Sequence, residues 1–346
     1  MSGPGRMPII LDVDTGIDDS LALLYACASP EAKLVAVTCV AGNIDLDNVQ
    51  RNTRAVLELA GRADVEVALG ADRPLVRPLV VAPITHGPRG LGYAELPEPT
   101  QPASNRAAAD LLVDEARRRP REITLVAVGP LTNLAVALKL EPALPSLVRR
   151  LVIMGGAYRV PGNTASTTEW NAQWDPEATK AVFDAFGAEA VQASRESADL
   201  PARPLALGLD VTETAKLTPE HLAAIAAGCG DDPAAPRLPM VRYLADALRF
   251  YMEFHSRYDG FYGAFIHDPL ALAAALDPSL VRAEALTVDV ELTGTLTAGE
   301  TVTDWRRVWG RPPTLDVAVE ADVTTFLDRF VERVAGLAAG RVGSAD

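Results

Sequence analysis

Short apolar runs alternate with amphipathic stretches from residue 8 to residue 280. Six of the runs are predicted strands: PIILDV (8–13), KLVAVTCV (33–40), VEVALG (65–70), ITLVAVG (123–129), RRLVIMGG (149–156) and PLALGLDV (204–211). The stretches between them predict helices, from Asp18 to around Ala28, from 47 to 61 with Gly61 at the end, and after Pro130. Runs that are apolar on both faces and separated by helices indicate an α/β fold, a mostly parallel sheet with helices on either side.

The remaining sequence extends this picture towards the C-terminus. Three runs predict a few antiparallel strands before a last helix over 322–337: LTVDVELTG (286–294), GETVTDW (299–305) and PTLDVAVE (313–320). Residues 70–103 and 156–175 are predicted loops, and 187–203 fits no element. We expect a single domain over 7–338, with flexible tails at 1–6 and 339–346.

Charge and cysteine content restrict the partners and the compartment. Acidic residues outnumber basic ones by 46 to 32, a net charge of −14, so a nucleic-acid or anionic membrane surface is not an expected partner. The three cysteines are an odd number without a C-x-x-C spacing, which favours a reducing cytoplasm. The N-terminal apolar run is too short for a secretory signal, and Leu270–Leu276 falls far short of the roughly 20 residues of a membrane span.

Four carboxylates fall within eight residues where the first strand ends and the first helix begins: Asp12, Asp14, Asp18 and Asp19. Asp12 and Asp14 are expected to share one face of the strand. Two like charges about 4 Å apart repel by roughly 4 kcal/mol at an effective dielectric of about 20. Helix capping explains one such aspartate. Four favour a bound cation, and oxygen ligands suit Ca²⁺ or Mg²⁺.

Other polar residues follow strands or precede helices, at the sheet edge where α/β folds bind ligands. His267 and Asp268 stand before a helical run, His86 lies in a loop, and Asn43 follows the second strand. Asn163, Glu169 and Asn171 lie between a strand and a helix, and their amide and carboxylate groups suit a polyol. Taken singly, each also fits a helix cap or a solvated loop. His221 is expected on a surface helix, and His255 on a packed aromatic face.

Four segments together resemble the inosine–uridine nucleoside hydrolase family, in family order: ILDVDTGIDDSLAL (10–23), LVIMGGAY (151–158), GNTASTTEWNAQWDPEA (162–178) and HDPLAL (267–272). The similarity extends from residue 8 to residue 330. It implies hydrolysis of the N-glycosidic bond of a small ribonucleoside by a homodimer or homotetramer that binds one Ca²⁺.

The resemblance also implies roles for individual residues. Asp14, Asp19, Asp268 and the backbone carbonyl of Val128 would hold the calcium ion together with waters. Asp18 would be the general base that takes a proton from a water on that ion. His267 would protonate or orient the leaving base. The remaining substrate contacts would be made by Asn43, Met154, Asn163, Glu169 and Asn171, with His86 within reach of the site.

Base preference stays open, because EFHSRYDGFYGAF (253–265) does not align securely with the base-contacting groups of known members. Residues 187–203 resemble an insertion relative to the family. One alternative is a haloacid-dehalogenase-type phosphatase with Asp12 as its nucleophile. The Gly-Asp-Asp that it would require, 230–232, follows a helical pattern instead of a strand. Another alternative is a nucleoside-binding protein without catalytic activity.

Overall fold

A computed structural model describes residues 5–196 and 203–341. Its centre is an eight-stranded sheet in the order β3-β2-β1-β4-β5-β6-β12-β9. These strands are β1 (Met7–Val13), β2 (Ala32–Cys39), β3 (Glu66–Leu69), β4 (Thr124–Ala127), β5 (Arg150–Met154), β6 (Leu205–Leu207), β9 (Val281–Leu286) and β12 (Leu315–Ala321). All neighbours pair in parallel except β12 and β9, which are antiparallel. The predicted α/β fold with a mostly parallel sheet is confirmed.

Four short strands complete two small antiparallel ribbons: β7 (Lys216–Leu217) with β8 (Ala264–Phe265), and β10 (Val288–Val290) with β11 (Thr301–Thr303). The helices are α1 (Ile17–Ala28), α2 (Leu46–Leu59), α3 (Pro83–His86), α4 (Ala108–Arg118), α5 (Thr132–Leu140), α6 (Leu144–Leu147), α7 (Trp170–Trp174), α8 (Pro176–Glu196), α9 (Leu209–Thr212), α10 (Pro219–Gly228), α11 (Pro239–Tyr258), α12 (His267–Leu276) and α13 (Val323–Ala338). A single 3₁₀ turn, Pro278–Leu280, follows α12.

Two apolar cores cover the two faces of the sheet. Ile9 and Leu11 of β1 belong to the core shared with α1, α11, α12 and α13, while Ile10 belongs to the core shared with α4, α5 and α8. Alternate residues of one strand therefore enter opposite cores, which explains why the strand sequences are apolar throughout. No helix in the described part of the chain is long and apolar enough to cross a bilayer.

The strand order reverses at β1. From β1 the chain proceeds outward through β2 and β3, then returns to place β4 on the other side of β1. The carboxyl ends of β1 and β4 thus flank a switch point, where ligand crevices form in open α/β sheets. Asp14 follows β1 and Val128 follows β4, and the backbone amide of Val128 donates to the carbonyl of Asp12 at 2.9 Å.

Several sequence predictions need correction. The strand predicted over 204–211 ends at Leu207, because after Gly208 the chain forms the short helix α9, whose Asp210 carboxylate accepts from the amides of Tyr158 and Arg159. The predicted loops contain the short helices α3 and α7, whereas the helix predicted after Pro130 is present as α5. The predicted antiparallel strands near the C-terminus are confirmed by the pairs β9–β12 and β10–β11. Strand β12 also pairs in parallel with β6, and β9 was not predicted.

The unassigned segment 187–203 is partly explained. Residues 187–196 continue α8, while 197–202 lie outside the described residues. Most of both predicted tails, 1–4 and 342–346, also lies outside them. The single-domain boundaries and the flexible tails stay predictions.

Candidate active site

Three acidic side chains approach each other at the switch point. Asp18 and Asp19 lie in the first turn of α1, and Asp268 lies in the first turn of α12, which packs beside α1. One carboxylate oxygen from each lies within 4.8 Å of the others. With Asp14, these residues form what we call the carboxylate cluster (Asp14, Asp18, Asp19 and Asp268). All four side chains are buried.

Main-chain and side-chain donors hold the N-terminal part of this cluster in place. The backbone amides of Asp14 and Gly16 donate to the two oxygens of Asp19, at 3.0 and 2.9 Å. The Asn43 backbone amide donates to Asp14 Oδ2 at 2.7 Å, and its side-chain amide donates to Asp19 Oδ2 at 3.1 Å. Asn43, expected at the site, therefore contacts the cluster directly.

The cluster strongly disfavours negative charge. Burial, followed by the charge of Asp19, holds the pKa of Asp14 and of Asp18 well above the usual carboxyl range. Burial, followed by the charges of Asp18 and Asp19, does the same for Asp268. The pKa of Asp19 is also raised by burial, although donated hydrogen bonds oppose the change. Four such groups share one small volume only if they hold protons or if a cation neutralises them.

The pocket wall fits a cation. Asp14 Oδ1 is buried without a hydrogen-bond partner among residues 5–196 and 203–341. Glycines form the wall beside this carboxylate: a Cβ at Gly42 would lie 2.2 Å from Oδ2, and one at Gly129 would lie 2.8 Å from Oδ1. Oxygen donors without histidine or cysteine are the set that hard divalent cations prefer.

Asp12 is separate from this group. Its Oδ1 accepts from Thr38 Oγ1 at 2.5 Å and from Asn133 Nδ2 at 2.7 Å. The strand ends at Val13, so the alternation that was expected to place Asp12 and Asp14 on one face does not continue to Asp14. Burial raises the pKa of Asp12 to about 7. Its contacts indicate that Asp12 connects β1 with β2 and α5.

A second group of predicted residues lies at the ends of β4 and β5. Asn171 Nδ2 donates to the Val128 carbonyl at 2.8 Å and to the Met154 carbonyl at 3.3 Å. Glu169 caps α7 by accepting from the amides of Asn171 and Ala172, at 2.8 and 3.1 Å. The structure therefore brings Val128, Met154, Glu169 and Asn171 together at the same sheet edge.

Asn163 is the exception among the predicted contacts. Its side chain is exposed, and its Oδ1 accepts from the backbone amide of Trp170 at 3.0 Å. This bond joins the loop before α7 to the first residue of that helix. Asn163 is thus held near Glu169 at the start of α7, and among the described residues it makes no hydrogen bond to the carboxylate cluster.

Aromatic and imidazole rings from α3, α11 and α12 form a third group of residues. His86 lies at the end of α3 and accepts from the amide of Ile17 at 3.1 Å, and His267 Nδ1 lies 2.8 Å from Thr212 Oγ1. Tyr251 of α11 has its ring centroid 5.6 Å from that of His86. Burial, followed by the charges of Asp18 and Asp268, raises the pKa of Tyr251.

Sequence reasoning missed Tyr251 and Thr212 and treated His255 only as a packed ring. His255 does pack among aromatic rings, but its Nδ1 also pairs with Asp259 Oδ2 at 2.7 Å. The four-residue spacing of His255 and Asp259 could have indicated a pair on one helical face. His221, expected at the surface, caps α10 through Thr218.

Comparison with known proteins gives matches over nearly the whole chain. A family model described as inosine-uridine preferring nucleoside hydrolase matches residues 9–328. The pyrimidine-specific ribonucleoside hydrolase RihA of Enterobacter sp. (strain 638) is 39% identical over 330 residues, 95% of this chain and 98% of that protein. RihA of Salmonella arizonae is 38% identical over 95% of this chain and 98% of that protein.

Solved structures agree. A purine-preferring ribonucleoside hydrolase from Gardnerella vaginalis superposes with a TM-score of 0.85 at 33% identity, covering 96% of this chain and 99% of that one. A plant nucleoside hydrolase, PpNRh1, superposes with a TM-score of 0.84 at 30% identity, covering 95% and 99%.

Fold, site and matches together define an enzyme that hydrolyses the N-glycosidic bond of ribonucleosides. The chain belongs to the inosine-uridine preferring nucleoside hydrolase family. The resemblance noted from the sequence is therefore confirmed, and the phosphatase hypothesis is wrong. Its Gly-Asp-Asp segment follows α10, where Asp231 accepts from the backbone amides of Arg237 and Leu238.

Proposed function

We propose that this enzyme releases ribose from pyrimidine ribonucleosides with one bound Ca²⁺ and with Asp18 as the general base. The observation that carries this proposal is the buried carboxylate cluster, in which Asp18, Asp19 and Asp268 offer oxygens within 4.8 Å of one another. The unpartnered Asp14 Oδ1 beside two glycines supports it. Protonated carboxyl groups alone would leave this cluster without a base at neutral pH.

Asp14, Asp19, Asp268 and the Val128 carbonyl would hold the cation. When bound, a divalent cation supplies positive charge that lowers the pKa of Asp18 and Asp268 and the pKa of water at the site. The Val128 carbonyl already accepts from Asn171 Nδ2, and a carbonyl oxygen has a second lone pair for a cation. Calcium is favoured over magnesium because it accepts backbone carbonyls and a flexible ligand number.

Asp18 is suited to act as the base. It lies in the first turn of α1, where the helix dipole favours its ionised form. In the reaction, Asp18 takes a proton from the attacking water while the C1′–N bond breaks. Positive charge then develops on the ribose ring, and the surrounding carboxylates stabilise it.

The amide and carboxylate groups next to the cluster would bind the sugar. Asn43, Glu169 and Asn171 present polar atoms at the carboxyl ends of β2 and β5, and Met154 packs beside Asn171. Asn163 would join them from the loop before α7. His86 and His267 would lie on the base side, where His267 would orient the leaving base.

Pyrimidine nucleosides are proposed because the two RihA relatives, whose names specify pyrimidine substrates, share 39% and 38% identity over 98% of their length. By family resemblance we also propose a homodimer or homotetramer in the cytoplasm, built from one domain over residues 7–338.

A four-nucleoside panel tests the proposal. Uridine, cytidine, inosine and adenosine are incubated with the enzyme, and reducing sugar is measured with and without a chelator. Uridine and cytidine should release ribose fastest, and the chelator should abolish release until Ca²⁺ is restored. Faster release from inosine would contradict the pyrimidine preference, and full activity in the chelator would contradict the cation.

A further inference from the structure

Three of the four histidines in the chain converge next to the carboxylate cluster, and we call them the histidine cluster (His86, His255 and His267). The Tyr251 ring lies between two of them, with centroids 5.6 Å from His86 and 4.6 Å from His255. The Phe265 ring links His255 and His267, with centroid distances of 4.8 and 5.7 Å. Burial, followed by a charge on His255, lowers the pKa of both His86 and His267.

The hydrogen-bond partners of the three rings differ. His86 Nδ1 accepts from a backbone amide, and His267 Nδ1 faces the Thr212 hydroxyl. His255 is the member of the cluster with a carboxylate partner in the described part of the chain, at 2.7 Å from Asp259 Oδ2. A carboxylate only accepts, so Nδ1–H of His255 is the donor. Burial lowers the pKa of His255, and the pairing with Asp259 opposes that shift by favouring the imidazolium form. The pairing also fixes which nitrogen faces away from Asp259.

The other nitrogen of His255 lacks a partner. Nε2 is buried and makes no hydrogen bond with any described residue. Its surroundings are aromatic: besides Tyr251 and Phe265, Phe254 and Phe261 lie at ring distances of 5.2 and 5.6 Å. A histidine that served only as packing would leave this polar atom unsatisfied at a cost in stability. Flat rings around a single unsatisfied nitrogen instead suit a planar ligand with one polar contact, such as a nucleobase.

We propose that His255, anchored by Asp259, donates the proton that the departing nucleobase accepts. This inference rests on the proposed function, because it needs a nucleoside whose ribose lies at the carboxylate cluster. Two chains of contacts connect His255 with the carboxylate cluster. The Phe265 ring contacts both His255 and His267, which precedes Asp268, and the Tyr251 ring contacts both His255 and His86, whose Nδ1 accepts from the amide of Ile17 beside Asp18.

The proton transfer completes the reaction without another reactant. The C1′–N bond breaks, and its electron pair stays with the base. The Nε2 proton moves to an acceptor oxygen or ring nitrogen of the base, which leaves His255 neutral with Nδ1–H still on Asp259. The water oxygen bonds to C1′ and gives its proton to Asp18. Solvent then takes the proton from Asp18 and returns one to His255.

His255→Phe is the most informative variant, because phenylalanine keeps the ring packing and removes both nitrogens. Uridine is compared with p-nitrophenyl β-D-ribofuranoside, whose leaving group departs without a proton. We expect kcat for uridine to fall by about 10²–10⁴-fold, the usual contribution of a general acid, and kcat for the aryl riboside to change by less than about threefold. If the wild type does not cleave the aryl riboside, 5-fluorouridine replaces it, and its smaller loss relative to uridine is the predicted result.

Asp259→Asn tests the positioning residue. It should lower kcat for uridine by about tenfold, less than the loss at His255, and leave the substrate that needs no proton nearly unchanged. His221→Phe alters a half-buried histidine that caps α10 and belongs to neither cluster, so it is the matched control and should leave both substrates unaffected. Circular dichroism and thermal melting report whether each variant is folded.

Equal losses on both substrates in His255→Phe would overturn the proposal, because they would indicate packing instead of proton donation. So would an unchanged kcat for uridine in the folded variant. A wild-type kcat for uridine in Asp259→Asn would overturn the proposed role of Asp259 in positioning His255. A wild-type enzyme that releases no ribose from any nucleoside would instead refute the proposed function, so the two failures can be told apart.

Discussion

The carboxylate cluster and the histidine cluster lie side by side but are constructed differently. Most of the carboxylate cluster comes from one turn, between β1 and α1, and backbone amides hold its oxygens in place. The histidine cluster takes its members from three separate helices, α3, α11 and α12, and ring packing holds them. Substitutions in the carboxylate cluster should therefore lower the activity on every substrate. Substitutions in the histidine cluster should lower it by an amount that depends on the leaving base.

The largest effect is expected at Asp18. Asp18→Asn keeps the shape of the side chain and removes the base, so kcat should fall by about 10³-fold or more for uridine and inosine alike, while ribose affinity stays within a few-fold. Steady-state kinetics on both substrates measure this. Asp45→Asn, which alters an aspartate that caps α2, is the control. A near-normal kcat in Asp18→Asn would remove Asp18 from its proposed role.

The stability of the cation-free protein should fall as the pH rises from 7 to 8. The carboxyl groups of the cluster have raised pKa values in the folded state, so their contribution to stability is complete below the unfolded pKa near 3.8 and is lost as pH rises through the folded pKa. For each carboxyl group that is protonated in the folded state and ionised in the unfolded state, the free energy of unfolding falls by about 1.4 kcal/mol per pH unit.

This pH window isolates the carboxyl groups. The pKa of His86 and of His267 falls to about 3 through burial, so above pH 7 both rings are neutral in the folded state and mostly neutral in the unfolded state. Thermal melts in chelator should show a falling Tm across the window, and saturating Ca²⁺ should flatten the curve. A Tm that is constant or rises in chelator would mean that the cluster carries no such penalty.

A smaller and uniform effect is expected beside the carboxylate cluster. Asn171→Ala removes the donor to the Val128 and Met154 carbonyls and the proposed sugar contact. We expect kcat/KM to fall by about 10- to 100-fold, equally for uridine, cytidine and inosine, because all three share the ribose. Unequal losses among the three bases would assign Asn171 to base recognition instead.

The smallest effect is expected at Tyr251, where the two clusters meet. Tyr251→Phe keeps the ring against His86 and His255 and removes one hydroxyl near Asp18. The loss in kcat/KM should be less than about tenfold and should differ between uridine and inosine. Identical losses for both nucleosides would show that the hydroxyl acts on the carboxylate cluster alone.

The same contrast explains what the sequence could predict. Asp14, Asp18 and Asp19 are close in sequence, and one strand-to-helix turn brings them together, so their spacing alone indicated a site. The pairing of Asp268 with them depends on how α12 packs against α1, and only the family resemblance supplied it. His255 was missed because an apolar helical face predicts burial but does not reveal an unsatisfied nitrogen.

For the fold as well, features set by neighbouring residues could be predicted from the sequence, and features set by distant contacts could not. Strands that are apolar on both faces were located from the sequence to within a few residues. The PLALGLDV run was overextended because Gly208 and the capping contacts of Asp210 turn the chain into α9, and those contacts are made with residues about 50 positions away. Long-range hydrogen bonds of this kind leave no local pattern.

Metal analysis tests the central claim most directly. Calcium content per chain would be measured by mass spectrometry after dialysis, for the wild type and for Asp268→Asn, together with ribose release from uridine. The proposed cation site predicts one tightly held ion per wild-type chain, loss of both the ion and the activity in the variant, and recovery of wild-type activity when calcium is returned after chelation. A fully active wild-type enzyme that contains no divalent metal would contradict it.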